Sequence, residues 1–263
     1  MTDVTELYAV EVGTGGLEPL VFLHGFGAAA FVWADLQREF ADERASLAYD
    51  LPGHGRSLQA DGIGGAGHMA RAVTADLERR GITRAHVVGH SMGGAVAAKI
   101  ALRTPALVAS MTLLAPGAFG PEINHRLLSR YAAATEHDAL LATLENMYGW
   151  NNPVPERVVS GLVERRNRRG ATDCLASILS SILVERDDGV MQGMIPRGAL
   201  AELAMPVKVL WGTQDRVVPT RQARRLPPLF AAHVFEDTGH MLIDERPAET
   251  ARLIRQNIRA ARP

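Results

Sequence analysis

The segment Gly89-His90-Ser91-Met92-Gly93-Gly94 decides how the rest of the sequence is interpreted. It follows a short apolar run, His86–Val88, and opens a stretch of helical period, Met92–Arg103. A serine between a strand and a helix, with glycines two residues before and after it, is typical of a sharp turn that exposes the hydroxyl at the carboxyl edge of a sheet. We therefore predict that Ser91 is a nucleophile. The competing interpretation is a Gly-rich turn whose serine only caps a helix.

Two further strand ends supply the groups that a serine nucleophile needs. Asp215 follows the apolar run Val207–Leu210, and His240 follows the predicted strand His233–Glu236. A serine hydroxyl needs a base to take its proton, and the base needs an acid to fix its tautomer. The chain order serine, aspartate, histidine is the one expected when three strand-end loops of a single sheet carry them. We predict that Ser91, Asp215 and His240 are the catalytic residues, against a packed loop histidine and a turn-capping aspartate.

The segment His24-Gly25-Phe26-Gly27 comes directly after the apolar run Leu20–Leu23. Its glycines allow the loop to turn backbone amides inward, where they can bind the negative charge that develops on an acyl oxygen. We predict that the backbone N–H groups of Phe26 and Met92 form this oxyanion hole. The histidines at positions 24, 54 and 90 are interpreted as packed structural residues.

Short apolar runs alternate with stretches of helical period at both ends of the chain, which predicts a mostly parallel sheet with helices on both faces, an α/β fold. The alternation stops after Pro116-Gly117, and four helices are predicted in the insertion that follows. We divide the chain into a core of residues 1–116 and 201–263 and a helical lid of residues 117–200.

The arginines between 165 and 169 are interpreted as a solvated helix end rather than an anion clamp. The lid residues that we expect to shape a substrate pocket are Leu127, Tyr131, Met147, Tyr148 and Trp150.

Composition narrows the classes of function. The 263 residues are 47% hydrophobic and 22% charged with a net charge of -1, which is typical of a soluble globular chain and gives no attraction to nucleic acid or anionic membrane. The single cysteine excludes a disulfide framework, and the nine histidines show no metal-binding spacing, so we expect neither metal nor cofactor. Residues 1–16 lack the basic and apolar regions of an export signal, so a cytoplasmic location is expected. The expected partner is a small-molecule acyl substrate.

These motifs, together with Asp50-Leu51-Pro52-Gly53-His54-Gly55-Arg56-Ser57, resemble the α/β-hydrolase superfamily over nearly the whole chain. Through that segment, the turn at Ser91 and Pro116…Asn124, the sequence is similar to the hydrolase-fold domain of acetoin dehydrogenase dihydrolipoamide acetyltransferase subunits and their stand-alone relatives. The resemblance implies an α/β-hydrolase fold whose lid is inserted after the sixth strand. Those subunits carry a lipoyl domain, and the two lysines here, Lys99 and Lys208, lie inside regular elements. Acyl transfer would therefore need a lipoyl or thiol acceptor from another chain.

Four activities remain open. The first is hydrolysis of an ester, thioester or related activated acyl bond of a small to medium apolar substrate through an acyl-serine intermediate. The others are acyl transfer of the acetoin dehydrogenase type, carbon–carbon bond hydrolysis and slow-turnover binding on the same fold. Carbon–carbon bond hydrolases usually have asparagine before the nucleophile and a Gly-Pro-Gly type oxyanion loop, whereas this sequence has His90 and Phe26-Gly27-Ala28. Dehalogenases and epoxide hydrolases are disfavoured because they use an aspartate nucleophile.

Overall fold

A computed structural model describes residues 6–15, 18–187 and 189–261. Seven strands form the central sheet in the order β1-β3-β2-β4-β5-β8-β9, and every described neighbour pair is parallel except β1 with β3. The α/β fold with a mostly parallel sheet is confirmed. The strands are β1 Ala9–Val12, β2 Leu20–Leu23, β3 Ser46–Tyr49, β4 Ala85–His90, β5 Val108–Leu114, β6 Leu183–Arg186, β7 Gly189–Gln192, β8 Val207–Gly212 and β9 Ala231–Phe235.

Helices cover the sheet on both faces. Helices α2 and α3 pack against each other, and α3 also contacts β2, β4 and β5. Helices α1 and α10 contact each other, and α10 packs on β5 and β8. The helices are α1 Ala34–Phe40, α2 Ala66–Arg79, α3 Met92–Arg103, α4 His125–Ala133, α5 His137–Leu144, α6 Glu156–Arg166, α7 Ala171–Ile182, α8 Arg197–Ala201, α9 Leu242–Glu245 and α10 Pro247–Ala260.

The strands at the centre of the sheet are apolar on both faces because helices cover each side. All residues of β2, β4 and β5 are buried, so their sequences read as almost continuous apolar runs rather than alternating ones. The strand β1 was not predicted, because its sequence Ala-Val-Glu-Val is short and only partly buried at the edge of the sheet. The expectation of no export signal falls partly on residues 1–5 and 16, which lie outside the described residues.

The insertion between β5 and β8 contains helices α4 to α8, and it also contains a feature that the sequence analysis missed. Strands β6 and β7 pair antiparallel to each other in a sheet of their own. The prediction that the insertion contains helices and no strand is therefore wrong for Leu183–Arg186 and Gly189–Gln192, which follow the end of α7 at Ile182. The insertion begins after β5, at the Pro116-Gly117 break where it was predicted. β5 is the fifth strand of the described residues, and its place as the sixth strand of the family stays what the resemblance implies.

Side chains from the insertion and from the sheet join the same hydrophobic cluster. Leu140, Leu144 and Ile178 of the insertion are fully buried in it, as are Leu23 and Leu113 of the sheet. The division into a core and a separate lid at residues 116 and 200 stays a prediction. No helix among the described residues has both the length and the apolar character needed to cross a membrane.

Candidate active site

The turn that carries Ser91 lies between the end of β4 and the start of α3. Ser91 has φ 52° and ψ −117°, a conformation that residues with a side chain rarely adopt. A Cβ atom at Gly89 would overlap the backbone of Gly93, and one at Gly93 would overlap the carbonyl oxygen of Leu23. Both glycines are therefore required by the close approach of β4, α3 and β2. The strained backbone is held by the Ser91 N–H, which donates to the Leu114 carbonyl at 2.8 Å.

Asp215 and His240 meet at the carboxyl ends of β8 and β9. The Nδ1 atom of His240 lies 2.8 Å from Oδ2 of Asp215, and the two side chains are 4% and 0% exposed. The other carboxylate oxygen accepts hydrogen bonds from the amides of Val217 and Val218 at 2.8 and 2.9 Å, and Trp211 Nε1 donates to Oδ2 at 3.1 Å. Four donors thus fix the position of the carboxylate. With Nδ1 protonated toward Asp215, the Nε2 atom of His240 is the basic one.

Ser91 lies between two cavities. The smaller cavity, about 30 Å³, is lined by Ser91 and His240 together with mostly apolar side chains. The larger cavity, about 250 Å³, is lined by Ser91 and extends along α3. The structure therefore brings the three predicted catalytic residues to one place, and their catalytic role stays a prediction. Apolar residues of the larger cavity include Phe26, Met92, Ala95, Ile123, Leu128, Ile182, Met194, Ile195 and Val218.

The loop of the predicted oxyanion hole is fixed by the segment that follows β3. The Gly27 amide donates to Nε2 of His54 at 3.1 Å, and Asp50 Oδ1 accepts from the Ala30 amide at 2.7 Å. Phe26 and Met92 both line the larger cavity beside Ser91. Met92 is the first residue of α3, so its N–H has no acceptor within the helix. Phe26 and Met92 therefore line the same cavity as Ser91, and the role of their backbone amides as an oxyanion hole remains a prediction.

His90 packs directly against the predicted base. Its ring centroid lies 4.8 Å from that of His240, and its Nε2–H donates to the His240 carbonyl oxygen at 2.9 Å. Burial and the neighbouring His240 lower the pKa of His90 from 6.5 to about 3. Burial also lowers the pKa values of His24 and His54. These three histidines are uncharged and buried, which agrees with their interpretation as packed structural residues.

The low pKa of His90 predicts that the protein loses stability in mild acid. Between the folded value of about 3 and the ordinary value of 6.5, the unfolded chain binds a proton that the folded chain does not, so stability rises with pH in this window and falls as the pH decreases. His90 alone should remove about 2 kcal/mol from the free energy of unfolding between pH 7 and pH 5. Urea unfolding at both pH values should show that His90→Asn loses about 2 kcal/mol less of its free energy of unfolding than the wild type does. An equal loss in the wild type and the variant would show that His90 does not cause the acid sensitivity.

The residues predicted to shape the pocket occupy different places. Tyr131 and Met147 line the smaller cavity beside His240. Leu127 and Tyr148 are buried but line neither cavity beside Ser91, and the Tyr148 hydroxyl donates to Asp244 at 2.7 Å. Trp150 is 73% exposed and lines neither cavity. The structure thus places two of the five beside the site, and it places most of the larger cavity's wall on residues that were not predicted.

A comparison with protein-family models identifies the family. Residues 20–253 match the model described as "Alpha/beta hydrolase family". The chain belongs to the alpha/beta hydrolase family. The match spans all the strand ends described above, from the loop after β2 to the loop that carries His240.

Two curated relatives of this chain are named for different activities. Over 244 residues, 93% of this chain, it is 32% identical to the dihydrolipoyllysine-residue acetyltransferase component of the acetoin cleaving system of Cupriavidus necator, and the matched part is 64% of that protein's length. It is 31% identical to a 2-hydroxy-6-oxononadienedioate/2-hydroxy-6-oxononatrienedioate hydrolase of Burkholderia vietnamiensis, over 98% of this chain and 93% of that one. The chain thus spans less than two thirds of the acetoin-system relative.

The fold of this chain is also found in solved structures. A meta-cleavage product hydrolase from Pseudomonas fluorescens superposes with a TM-score of 0.81 over 97% of this chain and 95% of that one, at 19% identity. Identity this low shows a shared fold and nothing about the substrate.

Two charged residues of this chain support the site in ways that no sequence motif indicated. Arg166 is 4% exposed, against its interpretation as part of a solvated helix end, and its guanidinium lies 4.6 Å from the Tyr131 ring centroid. It also donates to the Gly27 carbonyl at 3.3 Å and so braces the predicted oxyanion loop. The interpretation as a solvated end is wrong for Arg166 because α6 turns this position toward Tyr131 of α4 and the loop that contains Gly27.

Glu245 organises the loop of the predicted base. Its Oε2 atom accepts from the amides of Gly149 and Gly239 at 2.8 and 2.9 Å, and its Oε1 atom accepts from the Met241 amide at 3.0 Å. The carboxylate therefore joins the loop on both sides of His240 to the insertion. Glu245 is the last residue of the short helix α9, and no sequence motif indicated this role.

Proposed function

We propose that this member of the alpha/beta hydrolase family is a serine hydrolase that cleaves an ester, thioester or related activated acyl bond through an acyl-Ser91 intermediate. The observation that carries the proposal is the buried Asp215–His240 pair, 2.8 Å apart, whose histidine lines the same cavity as a serine on a strained turn. A buried carboxylate that fixes a histidine tautomer beside an exposed hydroxyl is the arrangement that activates serine for acyl chemistry.

In the proposed acylation step, Ser91 Oγ attacks the acyl carbon while His240 Nε2 takes its proton. The negative charge on the acyl oxygen is bound by the Phe26 and Met92 amides, and the loss of one such donor typically costs about 3 kcal/mol of transition-state stabilisation. His240 then gives the proton to the leaving group as the carbon–oxygen or carbon–sulfur bond breaks. In deacylation, His240 takes a proton from water, hydroxide adds to the acyl carbon, and the proton returns to Ser91 as the acid leaves.

The two cavities suggest which part of the substrate lies on each side of Ser91. The group that His240 protonates must lie next to it, so the leaving group belongs on the side of the smaller cavity. The acyl group then enters the larger cavity, which is lined mainly by apolar side chains and the two proposed oxyanion donors. This arrangement supports a small to medium apolar acyl group.

The size of the smaller cavity supports water as the acceptor. Its volume of about 30 Å³ is sufficient for one or two water molecules or a short alkyl group beside His240. A bulky thiol such as a lipoyl arm would need the walls to move. The acetoin-system relative nevertheless makes acyl transfer the second candidate, with a lipoyl or thiol acceptor supplied by another chain.

A panel of p-nitrophenyl esters and acyl thioesters, assayed with and without dihydrolipoamide, tests the proposal. Steady turnover without an acceptor is expected for a hydrolase. Release that depends on the added dithiol would favour acyl transfer instead. A single slow turnover would favour a binding protein, and turnover limited to 2-hydroxy-6-oxo dienoate substrates would favour carbon–carbon bond hydrolysis, as the Burkholderia relative's name suggests.

Filling the larger cavity should shorten the accepted acyl chain. Ala95 lines this cavity one helical turn after Ser91, so the side chain introduced by Ala95→Met would block its middle. We expect kcat/KM for an octanoate ester to fall about 10- to 100-fold while that for the acetate ester changes far less. Trp150→Ala is the control, because Trp150 is exposed and lines neither cavity beside Ser91. Equal losses for both esters would show that the acyl group does not enter this cavity.

A further inference from the structure

We propose that the acyl group carries a terminal carboxylate, and that Lys99 at the far end of the larger cavity binds it. The inference rests on the proposed function, which places the acyl chain in that cavity. It names a substrate class, the monoesters or monothioesters of dicarboxylic acids, in place of an acyl chain that is apolar throughout.

Lys99 and Ser91 lie on the same face of α3. Positions 91, 95 and 99 are four residues apart, and all three line the larger cavity. Eight residues of helix rise about 12 Å, and side chains on a helix lean toward its N-terminus. The side chain of Lys99 therefore leaves the helix on a bond that leans toward Ser91. The separation of the two residues along α3 is comparable to the length of a medium acyl chain.

The Lys99 ammonium lacks a counter-charge in the part of the chain that the structure describes. It is partly buried, and no carboxylate of the described residues lies within 4.0 Å of it. None of the described residues that line the cavity is an aspartate or a glutamate. A cation beside apolar walls loses hydration without recovering it from a partner, so an anion in the cavity would be favoured there.

The uncharged polar side chains of the cavity already have partners in the protein. Ser181 Oγ donates to the Ile178 carbonyl at 2.7 Å. Gln192 accepts from the Ala118 amide at 2.8 Å and donates to the Glu122 carbonyl at 3.1 Å. Apart from Ser91, the polar side chains of the described lining residues that have no hydrogen-bond partner in the protein are Lys99 and His68 of α2, and Lys99 is the charged one. A substrate group that binds at this end of the cavity should therefore carry a negative charge.

A pair of substrates with equal acyl length tests this inference. The p-nitrophenyl monoester of suberic acid differs from p-nitrophenyl octanoate chiefly by the terminal carboxylate. We expect kcat/KM for the suberate ester to exceed that for the octanoate ester about tenfold, because a charge-assisted hydrogen bond is worth about one to two factors of ten. Added salt should reduce this ratio.

Three variants assign the preference to Lys99. Lys99→Met keeps the length of the side chain and removes its charge, so the ratio should fall about tenfold, whereas Lys99→Arg should retain most of it. Lys208→Met is the matched control, since Lys208 lies on β8, contacts His233 and does not line the cavity. A wild-type ratio near one, or a ratio that Lys99→Met does not change, would overturn the inference.

Two further measurements separate the inference from the proposed function. Calorimetry of suberate and octanoate binding to the Ser91→Ala protein measures the subsite without turnover. Tighter binding of suberate that the additional Lys99→Met substitution abolishes would support the inference even if no ester were cleaved. Equal binding of the two acids would overturn it. An octanoate ester of 4-hydroxybenzoate carries its carboxylate on the leaving group instead. If Lys99→Met impaired cleavage of that ester and left the suberate ester unaffected, the assignment to the acyl side would be wrong.

Discussion

Replacing Ser91 with alanine is expected to lower kcat about 10⁴- to 10⁶-fold while the protein remains folded. The change removes one hydroxyl that faces the cavities and leaves the Cβ atom, so neither core packing nor the glycines of the turn are affected. The residual rate would come from binding and from the proposed amide donors, which do not depend on the serine side chain. No other change to the chain should have a larger effect on turnover.

Labelling gives a second measurement of the same prediction. An organophosphonate should form one adduct, and mass spectrometry of its peptides should place it on Ser91. Ser129→Ala is the matched control, because Ser129 lies on α4 and its hydroxyl only donates to the His125 carbonyl at 2.8 Å. That variant should keep its turnover and its label. A folded Ser91→Ala protein that still turns over at the normal rate, or an adduct on another residue, would exclude Ser91 as the nucleophile.

The parts of the site that local sequence determines could be predicted without a structure. Ser91 and Asp215 follow the buried strands β4 and β8, His240 follows the edge strand β9, and parallel strands bring their carboxyl ends to one edge of the sheet. The steric need for glycine at positions 89 and 93 depends only on the sharpness of one turn. Such features follow from a few neighbouring residues and from the order of the strands.

The walls of the cavities depend instead on how the insertion packs on the sheet. Trp150 and Ile182 are both apolar residues of the insertion, yet Trp150 faces outward and Ile182 lines the larger cavity. Their roles are set by how the segments of the insertion pack on the rest of the protein, which the helical period of a single segment does not define. The same holds for Arg166, whose burial depends on contacts with Gly27 and Tyr131, more than thirty residues away in sequence. Lys99 is a charged residue in a mostly apolar helix, and the sequence does not show that this residue lines the larger cavity.

Several carboxylates near His240 compete for the role of the acid, and their contacts separate them. Asp244 accepts from the Tyr148 hydroxyl at 2.7 Å and pairs with Arg157, and burial raises the pKa of its carboxyl. Glu245 holds loop amides. Asp237 accepts from the Gln214 side chain at 2.9 Å. Of the described carboxylates, Asp215 is the one that contacts the His240 ring.

Asp215→Asn is therefore expected to lower kcat about 10⁴-fold with little change in the fold. The Asn oxygen can still accept from the Val217 and Val218 amides, which turns its NH₂ group toward His240 Nδ1 and Trp211 Nε1. Facing a donor, His240 must accept at Nδ1 and carry its proton on Nε2, so it has no lone pair there to take the proton of Ser91.

The matched control for this substitution is Asp237→Asn, three residues before His240. Asp237 is exposed and has φ 50°, a conformation that asparagine tolerates well, so turnover should stay close to that of the wild type. Steady-state kinetics on a short p-nitrophenyl ester, with circular dichroism to verify folding, would compare the two variants. The expected loss lies in kcat rather than in KM, since Asp215 lines neither cavity beside Ser91 and acts on the reaction only through the tautomer of His240. If Asp237→Asn lost turnover and Asp215→Asn kept it, the 2.8 Å contact between Asp215 and His240 would be structural and the acid would have to be sought on the loop itself.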